Sequence, residues 1–206
     1  MTVDAVIFDI GNVLIEWQPE QRYDAMIGPK RRAAFFANVP FYDVMNRVDE
    51  GESLHDLIEA TAKAYPDYAE EVRMLRDRWC DIAQPPIDHS VRLLRALRAK
   101  GVPVFVLSNF GAENFPLSEA QFPFLGEFDR RYISGVMGMR KPDPAIYAAV
   151  EADCGCAPGG LLFADDRQEN IDAALARGWQ GHLFETSHGW AQCLVDAGLL
   201  TAQEAA

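Results

Sequence analysis

One aspartate near the start of the chain has the surroundings of a reactive group. Asp9 follows the apolar run at residues 5–8, and a glycine stands at position 11. A carboxylate just past a buried strand, followed by a glycine turn, lies where open α/β sheets place their chemistry. Neither sequence neighbour of Asp9 is basic or hydroxylic, so no local partner explains its presence. This segment therefore predicts a chemical role for Asp9.

Three further polar groups stand at corresponding places, two after apolar runs and one before a helix pattern. They are Ser108 with Asn109, Lys141, and Asp165 with Asp166, the last pair followed closely by Asn170. If the apolar runs are parallel strands, their carboxyl ends meet at one edge of the sheet. The sequence thus predicts that these side chains share a single site with Asp9.

The three aspartates of this predicted site would repel one another without a cation. A divalent metal removes that conflict, and oxygen ligands with no Cys or His nearby favour Mg²⁺. The Ser108 hydroxyl, the Asn109 amide and the Lys141 ammonium add hydrogen-bond donors facing the metal. Such a pocket suits a tetrahedral dianion. An aspartate held beside a bound phosphate can attack phosphorus and form an aspartyl-phosphate, which water then opens.

The elements that must position these groups alternate between strand and helix patterns. Strand patterns occur at residues 5–8, 102–107, 161–164 and 182–184, each apolar throughout, as in parallel strands covered on both faces. Helix patterns start at Asp88, at Asp143 and near Ile171. This alternation predicts an α/β fold with a doubly wound, Rossmann-like parallel sheet.

The stretch from Gln18 to Pro86 interrupts the alternation. It has no strand pattern but several helix patterns, one capped by Ser53 and another spanning residues 72–82. We therefore predict a small all-helical cap inserted after the first strand. In this interpretation residues 1–16 and 87–206 form the core domain and residues 17–86 form the cap domain.

Composition limits the partners that this chain can have. The net charge of −12 argues against nucleic acid and against an anionic membrane surface. No apolar stretch approaches the ~20 residues that span a bilayer. The acidic start, Met1 to Asp4, does not resemble a signal peptide, and the four cysteines are scattered. We expect a cytoplasmic monomer or homodimer that binds a small phosphorylated metabolite.

The four groups, in this order, resemble the haloacid dehalogenase superfamily over nearly the whole chain. That family carries Asp-x-Asp-x-Thr/Val after a strand, a Ser or Thr after a strand, a Lys before a helix, and an acidic pair after a strand. The matching positions are Asp9 to Val13, Ser108, Lys141 and Asp165 with Asp166.

The resemblance implies a role for each of these positions. Asp9 would be the nucleophile, and Lys141 would serve the transferring phosphoryl group together with Ser108 and Asn109. For Asn170 the residues alone leave two interpretations, one in which it orients an acidic side chain and one in which it only lies on its helix. The implied metal ligands are Asp9, the backbone carbonyl of Gly11, Asp165 and Asp166.

Position 11 departs from the family pattern. Phosphatases of this family carry there a second aspartate, which protonates the leaving oxygen and later activates water, whereas Gly11 offers only its carbonyl. General acid–base help is worth ~10²–10⁴-fold. We therefore predict a slow or selective phosphatase that favours good leaving groups, such as sugar-1-phosphates and acyl phosphates. The Phe-Asp-Ile-Gly-Asn-Val segment also resembles a bacterial branch that includes α-glucose-1-phosphate phosphatase-like proteins.

Two alternatives remain from the residues. A 2-haloacid dehalogenase also uses an aspartate nucleophile and tolerates a non-acid two residues on, and Tyr147 would suit that activity. Dehalogenases need no metal, however, and usually carry Ser and Asn in place of Asp165 and Asp166. A non-catalytic binding protein of the same fold is supported only by Gly11. The acidic pair favours Mg²⁺ and phosphate over both.

Overall fold

A five-stranded parallel sheet lies at the centre of the computed structural model, which describes residues 2–206. The strands of the chain are β1 (Ala5–Phe8), β2 (Ile15–Trp17), β3 (Ala83–Pro86), β4 (Val104–Ser108), β5 (Arg130–Ile133), β6 (Leu161–Asp165) and β7 (Gln180–Leu183). The central sheet has the order β5-β4-β1-β6-β7. Strand β1 is therefore in the middle, and its side chains are wholly buried, as the apolar sequence predicts.

Helices occupy most of the remaining chain. They are α1 (Pro19–Ile27), α2 (Pro29–Asn38), α3 (Phe41–Asp49), α4 (Leu54–Ala64), α5 (Ala69–Asp77), α6 (Trp79–Ile82), α7 (Asp88–Ala99), α8 (Phe115–Gln121), α9 (Ser134–Met137), α10 (Pro144–Cys154), α11 (Gln168–Ala176) and α12 (Ser187–Asp196). Within residues 2–206, none of these helices combines the length and apolarity needed to cross a bilayer.

Helices cover both faces of the central sheet, and this confirms the predicted doubly wound fold. Alternate residues of β1 enter different layers of the core. Phe8 belongs to the layer that contains α7 and α12, and its ring meets Trp190 edge-on at 5.6 Å. Ile7 belongs to the opposite layer, together with Ile146 of α10 and Ile171 of α11. The carboxyl end of β1 is therefore packed between the two layers.

The chain between β2 and β3 forms helices α1 to α6, which we call the helical segment (residues 19–82). The prediction that this region has no strand is wrong at its end. β3 pairs antiparallel with β2, joining Ile15 to Pro86 and Trp17 to Ala83. The Ala-Gln-Pro-Pro sequence of β3 hides this strand because proline lacks a backbone donor and the stretch has no apolar alternation. The domain boundaries at residues 16/17 and 86/87 stay a prediction.

Local predictions near helix ends and sheet edges had mixed outcomes. Ser53 and Asp143 cap α4 and α10, accepting from the backbone N–H of residues 56 and 145 at 3.3 and 2.8 Å. The helix predicted over residues 72–82 is broken at Arg78. Strand β5 was missed because its first residue, Arg130, is exposed at the sheet edge and hides the apolar pattern. The helix break at Arg78 and strand β5 therefore depend on contacts between distant parts of the chain.

Candidate active site

The carboxyl ends of β1, β4 and β6 meet at one edge of the central sheet. Asp9 directly follows β1, and Ser108 and Asp165 are the last residues of β4 and β6. Their backbones are neighbours because β1 is hydrogen-bonded in parallel to both other strands. A cavity of about 340 Å³ opens at this edge. Of the residues that the sequence singled out, it is lined by Asp9, Gly11, Ser108, Asn109, Lys141, Asp166 and Asn170.

Lys141 is a buried cation between two carboxylates. Its side chain is 1% exposed, and its Nζ lies 3.0 Å from Asp9 Oδ1 and 2.5 Å from Asp165 Oδ2. The same nitrogen donates to the carbonyl of Leu107 at 2.9 Å. Burial by itself would lower the pKa of Lys141, but Asp165 and Asp9 raise it above its ordinary value. The lysine is therefore held as an ammonium ion beside Asp9.

Asp165 has no free hydrogen-bonding capacity. Its Oδ1 accepts from the backbone N–H of Arg167 and from Asn170 Nδ2, both at 2.9 Å. Its Oδ2 accepts from Lys141 Nζ at 2.5 Å and again from Asn170 Nδ2 at 3.0 Å. A carboxylate offers about four lone-pair sites, and all are used. The geometry therefore favours Asp165 as the residue that orients Lys141, while its role as a metal ligand stays a prediction.

Asp166, the next residue, has a different environment. It is half-buried and lines the cavity, and its Oδ2 accepts from Asn12 Nδ2 at 2.8 Å. Its other oxygen has no hydrogen-bond partner within residues 2–206. Burial raises the pKa of Asp166, and the bond from Asn12 opposes this rise. Of the acidic pair, Asp166 is thus the better placed to bind a ligand in the cavity.

Asn12 is a site residue that the sequence analysis missed. It has a φ of 54°, in the left-handed region that asparagine tolerates better than most residues. Its Nδ2 holds Asp166, and its Oδ1 accepts from the backbone N–H of Trp17 at 2.9 Å. The Gly-Asn pair after Asp9 was a turn signal that could have indicated this conformation. The turn that follows β1 thereby orients an acid that follows β6.

The acidic cluster fits a divalent cation. Asp9, Asp165 and Asp166 each place a carboxylate oxygen within 4.8 Å of the others. Asp9 Oδ1 is buried and accepts no hydrogen bond from the described residues 2–206, and its contact with Lys141 Nζ, 3.0 Å away, is an ion pair. Burial raises the pKa of Asp9 to about 7; Lys141 opposes this, and both neighbouring aspartates add to it. An orphaned oxygen among repelling carboxylates is what a hard cation such as Mg²⁺ would relieve.

Asn109 is tied to the backbone of Lys141. Its Nδ2 donates to the Lys141 carbonyl at 2.9 Å, and its Oδ1 accepts from the Lys141 backbone N–H at 2.8 Å. This reciprocal pair fixes the loop that carries the lysine. Ser108 is 2% exposed, and its hydroxyl lowers the pKa of Asp9, although burial of Asp9 outweighs this effect. The substrate-binding roles of Ser108 and Asn109 stay predictions.

The opposite wall of the cavity is apolar and comes mainly from the helical segment and the β2–β3 ribbon. The rings of Trp17 and Trp79 lie 5.3 Å apart, and Phe110 meets Trp79 at 5.5 Å. Helix α3 adds four side chains to the lining of the cavity. These are Tyr42, Met45, Asn46 and Asp49.

Arg140 connects this wall with the edge of the sheet that carries Lys141. Its Nη1 donates to Asn46 and its Nε donates to Glu50, both at 2.9 Å. Because Arg140 directly precedes Lys141, these bonds connect α3 with the loop that carries the buried lysine. The Arg-Lys pair is visible in the sequence, but the partners of Arg140 depend on how the helical segment packs.

A family model described as haloacid dehalogenase-like hydrolase matches residues 3–178 of this chain. The chain belongs to the haloacid dehalogenase-like hydrolases. This confirms the resemblance given by Asp9, Ser108, Lys141 and the acidic pair, and it identifies the chain as a hydrolase.

Three proteins of known name or structure are similar to this chain. The sesquiterpene phosphatase astK of Aspergillus oryzae is 29% identical over 189 residues, which are 90% of this chain and 92% of that protein. Flavin mononucleotide hydrolase 1 of Arabidopsis thaliana is 28% identical over 113 residues, covering 55% of this chain and 46% of its own length. A family enzyme from Bacteroides thetaiotaomicron, solved as a magnesium complex, has a TM-score of 0.73 at 19% identity, covering 94% of this chain and 99% of its own. This last likeness shows the fold.

Proposed function

We propose that this haloacid dehalogenase-like hydrolase is a Mg²⁺-dependent phosphatase that cleaves small phosphorylated metabolites through an aspartyl-phosphate on Asp9. One observation carries the proposal: within residues 2–206 a buried oxygen of Asp9 accepts no hydrogen bond, and it lies in a cavity that also contains the Lys141 ammonium and the Asp166 carboxylate. The names of two relatives, a sesquiterpene phosphatase and a flavin mononucleotide hydrolase, support the same reaction class.

The proposed mechanism assigns a separate task to each residue. Mg²⁺, held by Asp9, Asp166 and the carbonyl of Gly11, would neutralise charge on the phosphate. A carboxylate oxygen of Asp9 attacks phosphorus, and the ester bond to the leaving oxygen breaks. Lys141 balances the negative charge that Asp9 and the phosphoryl group bring together. Water then attacks the same phosphorus, the bond to Asp9 breaks, and inorganic phosphate leaves.

Two classes of substrate follow from different features of the site. Gly11 carries no acid, which favours a sugar phosphate with a good leaving group. The wall formed by Trp17, Trp79 and Phe110 favours a phosphate ester with an aromatic or apolar body. Tyr147, on which the dehalogenase alternative depends, is fully buried and donates to the Asn170 carbonyl at 2.9 Å, so the cavity does not favour that reaction.

A phosphate-release panel tests this function. Glucose 1-phosphate, flavin mononucleotide and farnesyl phosphate represent the sugar, aromatic and apolar classes. We expect Mg²⁺-dependent release of inorganic phosphate from at least one of them, and no release after chelation with EDTA. Undiminished release with EDTA would contradict the metal requirement. Halide release from 2-chloropropionate without Mg²⁺ would instead establish a dehalogenase.

The metal assignment gives a prediction that separates Asp166 from its neighbour. We expect Asp166→Asn to raise the Mg²⁺ concentration for half-maximal stabilisation at least ~10-fold, because a directly bound anionic ligand is lost. The measurement is the melting temperature of the protein titrated with Mg²⁺. Asp172→Asn is the matched control, since Asp172 is exposed on α11 and contacts Gln168. An equal shift in both variants would show that Asp166 does not bind the metal.

A further inference from the structure

Asp49 is a carboxyl group in the active-site cavity to which neither the proposed mechanism nor the family motifs assign a role. It is the last residue of α3, it is half-buried, and it lines the same cavity as Asp9. Its side chain makes no hydrogen bond within the part of the chain from residue 2 to 206. The adjacent Glu50, in contrast, is 52% exposed and paired with Arg140. Asp49 is therefore an acid that faces the cavity without a structural partner.

The other acids that line the cavity already have tasks. Asp9 is the proposed nucleophile, and Asp166 is held by Asn12. Glu16 is 48% exposed and paired with Arg22. Lys141 is locked between two carboxylates as an ammonium ion. Asp49 is thus the carboxyl of this cavity that is left to exchange protons.

Asp49 also comes from the appropriate side of the cavity. In phosphoryl transfer the attacking and leaving oxygens are roughly in line with phosphorus. Asp9 attacks from the edge of the sheet, so the leaving oxygen emerges toward the helical segment, to which α3 and Asp49 belong. The water of the second step must approach along that same line. One carboxyl on this side is therefore placed for both halves of the reaction.

We propose that Asp49 is the general acid and base that Gly11 cannot provide, an inference that rests on the proposed phosphatase function. In the first step the Asp49 carboxyl gives its proton to the leaving oxygen as the ester bond breaks, and the alcohol is released. In the second step the Asp49 carboxylate takes a proton from water, whose oxygen bonds to phosphorus as the bond to Asp9 breaks. The products are the alcohol and inorganic phosphate, and both aspartates return to their initial states.

The charges around Asp49 agree with this double role. Burial raises the pKa of Asp49 to about 7; Arg140 and Lys141 lower it, whereas Asp9 and Glu50 raise it. A carboxyl that titrates near neutrality supplies both the protonated and the ionised form at working pH. The proton is thus available on the cavity side, where the leaving oxygen needs it.

The test compares leaving groups of different basicity. We expect Asp49→Asn to lower kcat/KM at least ~10²-fold for an alkyl phosphate, whose leaving oxygen needs a proton. For p-nitrophenyl phosphate, whose leaving group departs as an anion, kcat/KM should fall less than about tenfold, since this constant reports the first chemical step. Glu50→Gln is the matched control, because it removes the neighbouring negative charge beside Arg140. It should change kcat/KM for both substrates by the same factor.

A rescue at position 11 distinguishes proton transfer from a structural effect. A Cβ built on Gly11 would meet Trp17 Cβ at 3.8 Å, which is ordinary van der Waals contact, so the backbone there accepts a side chain without a clash at Cβ. We expect Gly11→Asp to restore alkyl phosphate turnover in the Asp49→Asn background, and to raise it less in the wild-type background. Equal losses of kcat/KM for both substrates, or no rescue in a folded double variant, would overturn the role of Asp49. Either result would leave the proposed phosphatase function standing. No phosphate release by the wild type from any ester would overturn the phosphatase function and this inference together.

Discussion

Asp9→Asn lowers kcat for phosphate release by roughly 10⁴-fold or more, the scale of loss when a covalent nucleophile is removed. The reason is that an amide oxygen does not form the phosphoryl bond, whereas the size and shape of the side chain are kept. The measurement is single-turnover phosphate release, together with mass spectrometry of the peptide that contains residue 9. The wild type should show a phosphorylated peptide after acid quench, and the variant should show none.

The same substitution should leave the fold intact. Asp9 is close to two other carboxylates, so loss of its charge removes repulsion as well as the attraction of Lys141. We expect the free energy of unfolding to change by less than about 2 kcal/mol, because these two effects oppose each other. Asp43→Asn, on the exposed face of α3, is the control for a neutralised carboxylate. Wild-type turnover by folded Asp9→Asn would exclude Asp9 as the nucleophile.

The second large effect is expected from Lys141→Met, which should impair both stability and turnover. Methionine keeps much of the side-chain length but leaves Asp9 and Asp165 without their cation in a buried site. Removal of one partner from a buried ion pair costs about 3–5 kcal/mol. We therefore expect a loss of that size in urea unfolding, together with a loss of phosphate release.

Two further variants test whether the loss of stability in Lys141→Met comes from the burial of this lysine. Lys100→Met removes a lysine that is 37% exposed and paired with Glu204, and it should cost less than about 1 kcal/mol. Adding Asp165→Asn to Lys141→Met should recover part of the lost stability, because the uncompensated charge is gone. If Lys141→Met and Lys100→Met were equally stable, the buried lysine would not be an important electrostatic partner.

The sequence was sufficient to predict that the candidate site residues gather in one place, because parallel strands bring their carboxyl ends to one edge of the sheet. Asp9 and Lys141 could be recognised from apolar runs and helix signals near them. The sequence could not distinguish Asp165 from Asp166, since two adjacent residues of the same type differ only in the direction that each takes from the strand. Their different partners, Lys141 for one and Asn12 for the other, become visible only in the folded chain.

The contributions of the helical segment were beyond the sequence analysis for another physical reason. Amphipathic patterns locate the buried side of α3, but they do not tell which partly buried polar residue at its end meets the cavity. Asp49 and Asn46 line the site from α3, and Arg140 joins this helix to the loop that carries Lys141 through its bonds to Asn46 and Glu50. Similarly, the break at Arg78 contains no glycine or proline, and Trp79 is held by its indole bond to Ser118 Oγ at 2.7 Å.

Asp165 contacts Lys141, whereas Asp166 is held by Asn12 and lines the cavity. These two roles require a fixed alignment of β6 with β1. Phe8 and Ala164 are paired across these strands, which sets the carboxylates after them at their present heights. A slip of a single residue in β6 reverses which side chains face each layer. An insertion within β6 would therefore exchange the aspartate that anchors the lysine with the one that is open to ligands. The number of residues in β6 is therefore constrained, as well as the type of each residue.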